Sequence, residues 1–111
     1  MTLSQKQRLF SKMIAELILW AYDKGYEITL GDAYRDPRLH GALGEKVGYG
    51  SRNSCHKLRL AMDLNLFVNG KYVTDGEAHK SLGEKWESMG GSWGGRFQDA
   101  NHYSLEHDGF K

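Results

Sequence analysis

The sequence predicts an α+β fold: a small antiparallel sheet with helices packed on one face and a cleft on the other. Three observations carry this. Residues 4–24 hold an apolar stripe at helical spacing, residues 58–68 alternate like a strand, and Asn69-Gly70 sits between two strand-like runs. An Asn-Gly pair in that position marks a two-residue hairpin turn, because both residues tolerate positive φ.

The first helix rests on Phe10, Met13, Ile14, Leu17, Ile18 and Ala21, which fall on one side of a 3.6-residue period. Ser4 reads as its N-cap with Gln7 three residues on, and Gly25 as its stop. Residues 26–35 read as a strand in which Tyr26, Ile28 and Leu30 share a face. Residues 36–57 form a long irregular segment with glycines at 41, 44, 48 and 50. A loop of that length in so small a domain is usually functional. In the next strand Leu60, Met62, Leu64 and Leu66 face one way, and Arg59, Ala61, Asp63 and Asn65 the other. Lys71–Val73 is the return strand of the hairpin. Residues 76–89 read as a helix with a stripe of Ala78, Leu82, Trp86 and Met89, leaving His79 exposed. Glycines 90, 91, 94 and 95 break the chain around Trp93, and residues 102–106 form a last strand with His102 opposite Tyr103 and Leu105.

The chain has 111 residues, which points to one domain over 1–111. Hydrophobic content of 40% and charged content of 26% are ordinary for a globular protein. A net charge of +1 implies no strong general attraction to nucleic acid or to an anionic membrane. Cys55 is the single cysteine, which excludes an intrachain disulfide and a structural zinc site of several cysteines. The first residues carry no signal-peptide pattern. The expectation is a monomer, made in a cytoplasm, with no stable membrane binding.

The strand parities place Asp63 and His102 away from the apolar faces, and the first strand, extended without a bulge, places Arg35 there too. His56 falls just before the second strand, where the loop can swing it back over Asp63. Two imidazoles and a carboxylate at about 2.0–2.2 Å from a zinc ion leave a fourth position for water. Asp99 precedes His102 by three residues, within range to act as a base, and Arg35 is the candidate positive group for an oxyanion or a substrate carboxylate. Cys55 lies beside His56, but sequence neighbours point apart, which argues against a Cys-His nucleophile.

At these residues the sequence resembles a known family. Ser54-x-His56-x6-Asp63, followed by Asp99-x-x-His102-Tyr103, is similar to the paired motifs of the zinc D-Ala-D-Ala carboxypeptidase and dipeptidase superfamily. Trp93-Gly94-Gly95, and aspartate at position 99, resemble its branch of bacteriophage L-alanyl-D-glutamate peptidase endolysins. Tyr34-Arg35-Asp36 resembles a further element of the family. The resemblance implies one zinc ion on His56, Asp63 and His102, with Asp99 as general base and acid. It implies Arg35 at the scissile carbonyl or a substrate carboxylate, with Ser54 and Trp93 as substrate contacts. The implied substrate is the stem peptide of bacterial peptidoglycan, cut between L-Ala and D-Glu, in the periplasm, after a holin-type partner releases the enzyme from the host cytoplasm. A D,D-carboxypeptidase or dipeptidase of wall maturation is the alternative, and an inactive wall-peptide-binding module a third reading. The segment between Trp93 and Asp99 is shorter than in the phage branch.

Overall fold

A computed structural model describes residues 1–47 and 53–111. Helix α1 spans Leu3–Asp23, strand β1 Glu27–Leu30, the one-turn helix α2 Pro37–His40, strand β2 Ala61–Val68 and strand β3 Lys71–Val73. Helix α3 spans Gly76–Ser88, strand β4 Ser92–Trp93 and strand β5 His102–Ser104. Two 3-10 turns, Cys55–Leu58 and Gly94–Phe97, lead into β2 and towards β5.

The α+β architecture with an antiparallel sheet is as the sequence predicts. Strand β2 is the centre of the sheet. It pairs with β1 on one edge, while β3 and β5 lie end to end along the other, β3 opposite residues 66–68 and β5 opposite residues 61–63. Strand β4 then pairs with β5. The hairpin between β2 and β3 turns on Asn69 and Gly70, with φ of 52° and 75°, the paired positive values of a type I′ turn.

The core lies on the face of β2 that carries Leu64 and Leu66. Leu17 and Ala21 of α1, Leu82 and Trp86 of α3, and Tyr103 of β5 close it, all with no exposed surface. Phe10 meets the Trp86 ring edge-on at 5.8 Å.

Several boundaries differ from the sequence reading. The N-cap of α1 is Thr2, not Ser4: Thr2 Oγ1 accepts from the Gln5 amide at 3.1 Å and Gln5 Oε1 accepts from the Thr2 amide at 2.7 Å. Strand β1 stops at Leu30, so Arg35 is not in it, and β2 starts at Ala61 because the chain before it is wound into the 3-10 turn. Of the expected loop 36–57, residues 48–52 lie outside the described residues; the rest contains α2 and most of that turn.

One polar side chain is buried where the sequence reading left it exposed, and one aromatic side chain that the resemblance made a substrate contact is packed inside. His79 is 1% exposed, with Nδ1 2.8 Å from the Tyr103 hydroxyl. It replaces Ala78 on the inner stripe of α3, since a tyrosine from β5 supplies the polar partner that burial requires. Trp93 is 4% exposed, its indole lodged between Gly83 of α3 and Gly95. A Cβ at either glycine would run into the ring.

Gly83→Ala is therefore expected to cost about 1–3 kcal/mol in urea unfolding, the usual penalty of overpacking. Gly76→Ala, where a Cβ meets nothing within 4 Å, serves as the control and should change stability by less than about 0.5 kcal/mol. Burial holds His79 below its ordinary pKa, against a smaller pull from the Val73 backbone and Asp75. Below about pH 6.5 the unfolded chain then binds a proton that the folded one refuses, so this histidine removes stability as pH falls. Urea unfolding between pH 7.5 and 5.5 should show a steeper loss for the parent protein than for His79→Gln.

Candidate metal centre

The candidate ligand set is assembled by strand register. Asp63 of β2 stands directly opposite His102 of β5, so both side chains leave the sheet on the face away from the core. The backbone of Asp63 is gripped from the other edge: its amide donates to the Asp32 carbonyl at 2.8 Å and its carbonyl accepts from the Gly31 amide at 2.8 Å. Although β1 has ended, the chain beyond it still fixes Asp63 in place.

His56 arrives from the 3-10 turn that precedes β2. Ser54 caps this turn, its Oγ accepting from the His56 amide at 3.1 Å. The His56 Nδ1 lies 2.7 Å from the Ala33 carbonyl, and its Nε2 is turned to Asp63. The Arg35 amide donates to the His56 carbonyl at 3.1 Å, which zips residues 33–35 onto the turn.

The three donors converge. His56 Nε2 is 3.1 Å from Asp63 Oδ1, His102 Nδ1 is 3.3 Å from His56 Nε2, and His102 Nδ1 is 3.8 Å from Asp63 Oδ1. Ligands about 2.1 Å from a tetrahedral cation are separated by roughly 3.4 Å, so these separations fit one ion. Both imidazoles are buried, and Nδ1 is the His102 nitrogen that approaches the other two donors, while its Nε2 has no hydrogen-bond partner among the described residues. Burial alone would raise the Asp63 pKa; hydrogen bonds and charge from His102 and His56 outweigh it and hold the carboxyl well below its usual range. A carboxylate held ionised beside two imidazole nitrogens is a donor set suited to a borderline-soft divalent cation.

Asp99 sits beside the set. Its Oδ2 is 3.8 Å from His102 Nδ1, and its side chain is 52% exposed, open to solvent and to a substrate. Gln98, in the left-handed conformation, turns the chain back after the second 3-10 turn, and the Asp99 amide donates to the Gly94 carbonyl at 2.8 Å. A Cβ on Gly94 would strike the Asp99 carbonyl and approach the His102 Cβ, so glycine at 94 is what lets this turn close.

Asp99 and His102 line a cleft of about 280 Å³ with Arg35, Ser54, Phe97 and Lys111. Arg35 donates to Ser54 Oγ at 3.2 Å and pairs with Asp32 at 3.4 Å, so its guanidinium is fixed at the cleft wall rather than swinging. Ser54, 5% exposed, spends its hydroxyl on the His56 amide and on Arg35. Trp93 is the one predicted site residue that the structure keeps apart: its Nε1 donates to the Ala100 carbonyl at 2.8 Å, beneath the turn that carries Asp99. Phe97, which the sequence reading did not single out, meets the His102 ring edge-on at 5.6 Å and is 46% exposed. Cys55 is fully buried, and burial pushes its thiol up to about 11, which removes it as a nucleophile.

A family model described as D-alanyl-D-alanine carboxypeptidase matches residues 48–105, just over half of the chain. The chain belongs to that family of zinc peptidases. The matched stretch contains His56, Asp63, Asp99 and His102, and stops short of Arg35. No curated protein matches the chain. Membership of the carboxypeptidase family and the donor geometry agree on a metallopeptidase whose metal could be held by His56, Asp63 and His102. No helix among the described residues is long and apolar enough to cross a membrane.

If these three residues are the ligands, the purified protein should hold about one zinc per chain. His56→Ala, Asp63→Ala and His102→Ala should each lose it on dialysis, whereas Asp99→Ala should keep it. Elemental analysis of the four variants checks this.

Proposed function

We propose that this protein is a zinc endopeptidase of peptidoglycan that hydrolyses the bond between L-Ala and D-Glu of the stem peptide, as a phage endolysin does. The observation that carries the reading is the exposed Asp99 carboxylate standing 3.8 Å from a buried donor set, over a cleft walled by Arg35. Support for the endolysin branch comes from aspartate at position 99 and from Trp93-Gly94-Gly95 ahead of it. Zinc bound to the set would polarise a substrate carbonyl and lower the pKa of water towards about 7.

The chain's own groups divide the remaining work. Asp99 takes a proton from the attacking water and passes it to the leaving amine. That role is open to a solvent-reachable carboxylate whose approach to His102, at 3.8 Å, is too long to tie it up in a hydrogen bond. Arg35, held by Asp32 and Ser54, sets its guanidinium charge at the cleft wall, towards the charge that develops on the carbonyl or a carboxylate of the substrate. Ser54 is a positioning residue, joining the His56 turn to Arg35. The fixed salt link and capped turn mean that little reorganises on binding.

In this reading the enzyme is made in the host cytoplasm and reaches the wall through a holin-type partner. A second reading, D,D-carboxypeptidase activity on the terminal D-Ala, is favoured by the description of the matching family.

Mass analysis of digested wall separates the two. New N-terminal D-Glu is the expected product, and release of free D-Ala without it would establish the second reading. Asp99→Ala should lower turnover by about 10²–10⁴-fold with zinc content unchanged. Full activity in that variant would remove Asp99 from the mechanism.

A further inference from the structure

A second cavity, also of about 280 Å³, opens beside the metal cleft. It lies where β3 and β5 meet end to end along β2, and Tyr72, Thr74, Gln98 and Asn101 line it. Asp99 is the one residue that lines both cavities among the described residues. A substrate with its scissile bond at Asp99 therefore has room on either side.

The two sides differ in chemistry. The metal-side cleft contains Arg35 and Lys111, two cations. Among the described residues the second cavity is lined by no lysine or arginine; besides Asp99 and the buried His79, its lining offers two hydroxyls and two carboxamides. Tyr72 faces the same side of the sheet as Asp63: it is opposite Phe67 in the β2–β3 register, and Phe67 is four residues along the strand from Asp63. Its ring is 52% exposed and packs on Phe67 at 5.3 Å, forming a wall that ligands can reach. The Asn101 carboxamide is oriented by donation to Asn65 Oδ1 at 3.4 Å.

We infer that this cavity is the subsite for the uncharged half of the substrate, an N-acylated L-alanine, while the Arg35 side takes the half that carries carboxylates. Carboxamides and hydroxyls match the donors and acceptors of an acyl-amide, and an aromatic wall suits its apolar atoms. Cations on the opposite side match the carboxylates of a peptide that begins with D-Glu. The inference rests on the L-Ala–D-Glu reading above, because that bond is the one in the stem peptide that divides a neutral half from an anionic one.

Binding of the two halves tests it without relying on turnover. The C-terminal carboxamide of N-acetylmuramoyl-L-alanine, neutral as that half is in the intact substrate, and a D-Glu-initiated stem peptide would each be titrated into the zinc-loaded protein by calorimetry. Tyr72→Ala and Asn101→Ala should weaken the first ligand by about three- to tenfold, the loss of one hydrogen bond or ring contact, and the second by less than about twofold. Equal weakening of both ligands, or no binding of the first to the parent protein, would overturn the subsite. Failure of the cleavage reading looks different: release of D-Ala from wall while the first ligand still binds in a Tyr72-dependent way. Circular dichroism of each variant guards against unfolding, and Tyr72→Phe, which keeps the ring, should retain most of the affinity lost in Tyr72→Ala.

Discussion

The pairing of Asp63 with His102 across β2 and β5 is the constraint on which the rest depends. Side chains on a strand alternate, so a slip of one residue would carry Asp63 into the core and a leucine into the cleft. Hydrogen bonds on both edges of β2 guard the register. Leu64 donates to the Asn101 carbonyl at 2.9 Å and Leu105 to the Leu60 carbonyl at 2.9 Å, while Gly31 and Asp32 hold Asp63 from the opposite side. The core then locks the arrangement from below, since Leu64, Leu66 and Tyr103 have no exposed surface and no other face to turn to.

Around that pairing, single groups serve two purposes. Ser54 caps the turn that carries His56 and anchors Arg35, so the candidate metal ligand and the cation of the cleft wall share a support. The segment just after β1 fixes Asp63 through its backbone and His56 through the Ala33 carbonyl. The carbonyl that orients His56 leaves its Nε2 turned to Asp63, where a metal could reach it. Glycine at 94 brings Asp99 over the set, and the Trp93 indole, between Gly83 and Gly95, ties that turn to α3.

Much of this was legible in the sequence, and the reasons are physical. Strand alternation has a fixed period, so Asp63 and His102 could be assigned to one face before any contact was known, and Asn69-Gly70 could be assigned its turn. What escaped depends on partners distant in the chain. His79 is inside because Tyr103, twenty-four positions on, satisfies it. Trp93, which the resemblance made a substrate contact, is inside because Gly83 leaves room for an indole. Arg35 reaches the cleft wall, though not by the extended strand that parity invoked: β1 ends at Leu30, and side-chain bonds to Asp32 and Ser54 hold it instead. The helix start moved from Ser4 to Thr2 because both offer a hydroxyl and both have a glutamine three positions on.

X-ray absorption at the zinc edge tests the central claim, that strand register builds a mixed imidazole and carboxylate centre. The account predicts two imidazole nitrogens and a protein oxygen at about 2.0–2.2 Å, with a further light ligand and no sulfur. A sulfur shell near about 2.3 Å, which would require the buried Cys55 to turn to the metal, or a shell without imidazole, would contradict it.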